Sequence, residues 1–203
     1  MQRLPGIAAG YKVARDAQLV PDRGRLAREL AANLARIHAV SPCRELDFLK
    51  PSLARDNIAH YRAYLDTLDE PYPVLEWGLR WCERNAPRSE ETTFIHRDYR
   101  TGNYLVEDGS LTGVLDWEFA CAGPPLIDVG IFLRAGNSLP AGFRDAFVAA
   151  YRDGGGWLPE EWLQLSRLVD LVSQVTFLDS EVERPRVFAE SIAVIEETLL
   201  VLA

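Results

Sequence analysis

Apolar residues recur at helical spacing along most of the chain and at strand spacing over one short stretch near its middle. Leu26, Leu30, Leu34 and Ile37 fall on one face and predict a helix over 22–39, with Asp22 as its cap and Ser41-Pro42 as its stop. Ile58, Tyr61 and Leu65 predict a second helix over 52–68. Pro73, a good first-turn residue, opens a third that carries Val74, Leu75, Leu79 and Cys82 until Pro87. The pattern then changes. Residues 92–95 are β-prone, and apolar runs at 103–106 and 111–115 flank Asp108-Gly109, a strong hairpin signal. After Gly123-Pro124-Pro125 helical spacing returns over 126–134, 140–152, 159–178 and 185–200, with prolines at 140, 159 and 185 suited to first turns. Residues 1–22 read as irregular, broken by Pro5-Gly6 and Gly10. The glycines at 154–156 follow a helix rather than a strand, so they predict a connecting loop and no phosphate-binding glycine motif. The organisation expected is one domain: a linker-like 1–22, a helical 23–91, a polar loop and hairpin over 92–118, and a helical 119–203.

Composition narrows the class. With 48% hydrophobic residues in 203, the chain is long and apolar enough to bury an ordered core. Its 30 acidic residues outnumber 22 basic ones, for a net charge of −8 without a basic cluster, which excludes a nucleic-acid binder. Cys43, Cys82 and Cys121 are far apart and form no C-x-x-C pair, so neither a disulfide framework nor a zinc site is signalled. Charges interrupt the first twenty residues, and no run approaches the roughly 20 apolar residues that cross a bilayer. The expectation is a cytoplasmic protein with reduced thiols and no membrane contact. Acidic runs at Asp66, Asp69, Glu70 and at Asp179, Glu181, Glu183 read as solvated faces or as attraction for a cationic substrate.

The candidate chemistry sits where helical periodicity lapses. His96, Asp98 and Asn103 are spaced H-x-D-x-x-x-x-N between the short strand and the hairpin, and Asp116 follows the hairpin. A carboxylate at Asp98 can accept or orient the proton of an attacking hydroxyl. Asn103 and Asp116 offer the hard oxygen donors that Mg²⁺ takes from protein, its other ligands being phosphates and water. Two strands and a tight turn would return both to one end of the ladder. Arg100 reads either as a bidentate phosphate donor or as a surface arginine. His96 is expected to shape the loop rather than carry a proton, and Asp128, a charge on an apolar segment, to brace that loop. His38 and His60 read as packed or surface histidines, and Trp77, Trp81, Trp157 and Trp162 as core or interface. A metal-dependent hydrolase would need a second histidine–aspartate pair to complete a two-metal site, and none is seen.

On the pieces IHRDYRTGN, GVLDWE and GPPLIDVG, and on LARELAANLARIHAV before them, the chain resembles the aminoglycoside phosphotransferase and choline kinase-like family, relatives of the protein kinases. The resemblance implies an α+β, mainly helical fold, the carboxyl-terminal lobe of a protein-kinase-like enzyme, with MQRLPG as the inter-lobe linker. It implies transfer of the ATP γ-phosphate to a small-molecule hydroxyl such as that of an aminoglycoside, choline or homoserine. Asp98 would be the catalytic aspartate, Asn103 and Asp116 the Mg²⁺ ligands and Asp128 the brace. Two departures stand out. Arg97 occupies a position where many members carry glycine, and Trp117-Glu118 replaces the Phe-Gly of protein kinases. Lys12 and Lys50, the two lysines, sit on no predicted strand, so the phosphate-gripping lysine of a β-rich lobe is unaccounted for. The expectation is therefore an incomplete phosphotransferase whose exposed face is covered by a missing lobe or a dimer mate. The alternative is a non-catalytic binding or assembly module built on the same lobe.

Overall fold

The computed structural model describes residues 4–40, 43–87, 91–134, 142–173 and 185–202. Its elements run α1 (Gly10–Arg15), α2 (Arg23–His38), α3 (Ala54–Leu65), α4 (Pro73–Asn85), β1 (Thr93–Ile95), β2 (Tyr104–Glu107), β3 (Ser110–Val114), β4 (Cys121–Gly123), α5 (Leu126–Arg134), α6 (Phe143–Asp153), α7 (Glu160–Val172) and α8 (Pro185–Leu202). The fold is mainly helical with two small antiparallel sheets. Among the described residues no helix is long and apolar enough to cross a membrane. The stop at 41–42, the proline at 140, the 159–178 helix beyond 173 and the acidic residues at 179, 181 and 183 lie outside the described residues.

Local chemistry sets the helix ends. The Asp22 carboxylate accepts from the Arg25 N–H at 2.8 Å and caps α2. Pro73 occupies the first turn of α4. The two-residue turn of the β2–β3 hairpin has positive φ at both Asp108 (49°) and Gly109 (75°), the conformation that Asp-Gly tolerates best.

α5 organises the packing. Apart from Asp128 and Arg134 its sequence LIDVGIFLR is apolar, as suits a helix packed between two layers. Leu126, Ile127 and Ile131 join a core shared with α3, α4, α7 and α8. Val129, Phe132 and Leu133 face a second core shared with α1, α2, β2 and α6. Gly78 lets α4 approach closely, since a Cβ there would lie 2.9 Å from Val172 Cγ1.

Two features differ from the sequence expectation. The segment 1–22 holds a helical turn, α1, where an irregular run was predicted. Gly10 allows it: a Cβ there would crowd the Thr101 carbonyl at 3.1 Å and the Gly102 nitrogen at 3.2 Å, so α1 starts hard against the polar loop. Just before it, Ile7 and Val106 exchange backbone hydrogen bonds of 2.9 and 3.1 Å, laying the amino-terminal segment along the hairpin. The second feature is β4, which pairs antiparallel with β1 in the register Thr93↔Gly123, Phe94↔Ala122, Ile95↔Cys121. Three residues carry no periodicity to read.

Candidate functional site

The polar loop spans the gap between the two sheets, leaving β1 at Ile95 and entering β2 at Tyr104. Its first residue, His96, is fully buried. The His96 Nδ1 accepts from the Asp98 N–H at 3.2 Å. Its Nε2 lies 2.8 Å from the Leu115 carbonyl, an acceptor only, so Nε2 carries the proton. One imidazole thus ties the loop to the end of the hairpin. Trp117 packs over it, tilted at 4.5 Å, and stacks on Phe94 at 5.5 Å.

Arg97 adopts φ 65°, a left-handed conformation that disfavours a residue with a Cβ. Compensation comes from Asp128, whose Oδ1 accepts from the Arg97 N–H at 2.6 Å and whose Oδ2 accepts from the His96 N–H at 2.7 Å. Asp128 is wholly buried, and His38 Nε2 also contacts its Oδ2 at 3.0 Å. The Arg97 guanidinium donates to Asn57 Oδ1 at 3.1 Å, linking the loop to α3. Tyr99, buried, anchors it to α2 through its hydroxyl, which donates to the Leu30 carbonyl at 2.9 Å.

Asp98 and Asn103 come together. Asn103 Nδ2 donates to Asp98 Oδ2 at 2.6 Å and to the Asp98 carbonyl at 2.9 Å. The amide nitrogen is thereby committed, and the end left for a cation is the oxygen. Arg100 Nε donates to Asp98 Oδ1 at 2.8 Å, pairing with the carboxylate itself. The Asp98 side chain is 17% exposed and that of Arg100 46% exposed, so this pair sits at a mouth rather than in the core.

Asp116 returns to the same end of the hairpin. The Leu115 N–H donates to the Asn103 carbonyl at 2.8 Å, placing Asp116 one residue beyond the partner of Asn103. Its φ of 66° and ψ of 59° break the strand before the single turn at Trp117–Phe119. Its carboxylate is exposed, and Leu115, Trp117 and Phe119 around it also remain exposed. Among the described residues, no group of three or more His, Cys, Asp or Glu side chains is placed to hold a metal. Asn103 and Asp116 bring an amide and a carboxylate to this end of the hairpin, next to the Asp98 carboxylate in the loop.

Sequence reasoning missed the partners behind the loop: the tie from His38 to Asp128, the anchor at Tyr99 and the Trp117 cover. One signal was available. Leu26, Leu30, Leu34 and His38 are spaced four apart, so His38 continues the buried stripe of α2, where a polar group needs a partner.

Residues 1–165 match the sequence profile of the phosphotransferase enzyme family. Over 165 residues the chain is 31% identical to acyl-CoA dehydrogenase family member 10 of Mus musculus, a match covering 73% of this chain and 15% of that protein. Among solved structures it is similar to macrolide 2′-phosphotransferase MphH from Brachybacterium faecium, with TM-score 0.61, 20% identity and coverage of 85% of this chain and 60% of the other. The choline kinase LicA from Streptococcus pneumoniae gives TM-score 0.60 at 14% identity, covering 87% and 64%. The GDP and kanamycin complex of APH(2")-IIia gives TM-score 0.64 at 16% identity, covering 97% and 68%. The chain therefore spans about two thirds or less of several solved relatives and a small part of the curated one.

Proposed function

The chain belongs to the phosphotransferase enzyme family, and on that premise we propose that it transfers the terminal phosphoryl group of ATP to a hydroxyl of a small molecule. The observation that carries this reading is the Asp98–Asn103 pair at one end of the hairpin, where the Asn103 carbonyl accepts from Leu115, the residue before Asp116. Asp98 would meet the acceptor hydroxyl. Its two oxygens hold one hydrogen bond each from side chains, leaving carboxylate lone pairs to accept the hydroxyl proton. The acceptor oxygen would bond to phosphorus while the bond from the γ-phosphorus to the bridging oxygen breaks and ADP leaves.

The donor set fits Mg²⁺. That ion takes one or two protein oxygens and fills its shell with phosphate and water, and the Asn103 amide oxygen and Asp116 carboxylate are such a pair. When bound, the ion would neutralise charge on the transferring phosphates. Arg100, anchored through Nε on Asp98 and through Nη1 on the Thr101 carbonyl at 3.5 Å, would offer Nη2 to phosphate oxygens. His96 and Asp128 would hold the loop in shape without touching substrate.

Neither lysine lies on a strand: Lys12 is in α1, and Lys50 follows the short turn at Arg44–Leu46. Neither lysine is therefore placed as a strand lysine over the α- and β-phosphates, and without such a clamp transfer would be slow. The exposed Leu115, Trp117 and Phe119 are the face that a completing lobe or a second copy would cover. The same lysine placement favours a second reading, a binding module that retains the loop without turnover.

Titration of Mg²⁺–ATP by calorimetry tests the metal site. Asp116→Ala is expected to weaken binding at least about tenfold, a change of about 1.4 kcal/mol. Asp98→Asn is expected to bind nucleotide as the parent does but transfer nothing. Unchanged affinity in Asp116→Ala would remove the metal assignment, and binding without transfer by the parent chain would favour the module.

A further inference from the structure

The glycine turn at 154–156 connects to the polar loop by an unbroken series of contacts. We infer that Tyr151, clamped by this turn, and His38 are positioning residues that hold Asp128 in the orientation fastening the loop. The inference rests on the reading of Asp98 as the group that meets the acceptor.

The series starts where α6 ends. Gly155, at φ 87°, reverses the chain, and the Gly156 N–H donates to the Tyr151 carbonyl at 2.9 Å. A Cβ on Gly156 would lie 2.4 Å from Tyr151 Cε1 and Cζ, so the aromatic ring packs directly against a bare Cα. On α6 itself, Phe147 stacks with the same ring at 6.3 Å and 4°. The ring is fully buried with little room to move.

Its hydroxyl lies 2.6 Å from His38 Nδ1. Burial, reinforced by the negative charge of Asp128, pushes the Tyr151 phenol pKa up and keeps it protonated, so the hydroxyl donates and Nδ1 accepts. His38 Nε2 then carries the proton and donates to Asp128 Oδ2 at 3.0 Å. Asp128 in turn receives the His96 and Arg97 N–H groups. The carboxylate is gripped from two sides, by the relay behind it and by the loop in front. Releasing the relay frees it to rotate, and Arg97 loses the bond that offsets its left-handed backbone. Asp98 follows immediately in the chain.

The test reads the loop amides directly by NMR hydrogen exchange in the whole chain, with the Val106 amide of the hairpin, bonded to the Ile7 carbonyl, as internal control. In Tyr151→Phe and Gly156→Ala, exchange at His96 and Arg97 is expected to rise about tenfold relative to Val106, the worth of one net hydrogen bond. His38→Leu is expected to exceed both. His38→Gln, whose amide can donate to Asp128, is expected to recover most of the protection. Wild-type exchange at both amides in Tyr151→Phe and Gly156→Ala, or a rise shared equally with Val106, would overturn the relay. Failure of Mg²⁺–ATP to bind the parent chain, with the amides responding as expected, would sink the phosphotransfer reading and leave the relay standing.

Discussion

The two cores that meet across α5 are built on different principles. The core of α3, α4, α7 and α8 is aliphatic, with Ile58, Leu75, Leu79, Leu165, Leu168 and Leu199 essentially sealed from solvent. At its surface Arg62 bridges Glu76 and Glu83 between α3 and α4. The core of α2, β2, α5 and α6 buries Tyr99, Tyr104 and Tyr151, and beside them lie His38, His96, Asn103 and Asp128. Hydrophobic packing is tolerant in direction, so it can hold helices together without fixing a loop to a fraction of an ångström. Buried hydrogen bonds are directional and costly to leave unmade. The candidate site lies beside the second kind of core.

The sharpest way to break that contrast is to delete one element from each side. Asp128→Ala strands two backbone N–H groups and His38, and is expected to cost about 3–5 kcal/mol in denaturant unfolding. Leu79→Ala opens a cavity in the aliphatic core at a similar cost of about 2–5 kcal/mol. The outcomes should diverge at the site: Mg²⁺–ATP affinity of the folded protein falls in Asp128→Ala and holds in Leu79→Ala. Equal losses of affinity would erase the distinction.

A smaller effect of opposite sign comes from Tyr104. Its ring is fully buried at 4.8 Å from Tyr99, and its hydroxyl has no hydrogen-bond partner among the described residues. Burial pushes that phenol well above its ordinary range. Tyr104→Phe is therefore expected to raise stability by about 1 kcal/mol with the site unchanged. A loss of stability would mean that the hydroxyl is satisfied after all.

The smallest effect belongs to the surface pairs of the aliphatic side. Hydrogen bonds from Arg62 and then Arg80 lower the Glu76 pKa below its ordinary 4.5, while burial opposes them. Because the folded value is the lower one, the stabilisation is present above the unfolded pKa and disappears as pH falls through the folded value. Solvent screening keeps it small, so Glu76→Gln is expected to cost at most about 0.5 kcal/mol at neutral pH. That cost should vanish in acid, as denaturation curves at pH 7 and pH 3 would show.

The same contrast explains what could be read from the chain. The helices of the aliphatic side were visible because periodicity and capping are local: Ile58 and Leu65 on one face, Pro73 in a first turn. The Asp108-Gly109 turn, the loop spacing and the place of Asp116 were visible because each lies within a few residues of its cause. Long-range polar contacts were not. His38 meets Asp128 and Tyr151 across large sequence separations, and a histidine alone does not announce its partner. β4 exists only through its pairing with β1, and Arg100 was read as a free phosphate donor or surface residue without its bond to Asp98.

The most direct measurement replaces Mg²⁺ with Mn²⁺ in a titration with ATP and follows paramagnetic broadening of backbone amides. The account predicts broadening centred on residues 96–103 and 115–117, sparing the acidic surface around Glu76 and Glu83 and abolished by Asp116→Ala. Broadening centred on that acidic surface, or undiminished in Asp116→Ala, would contradict it.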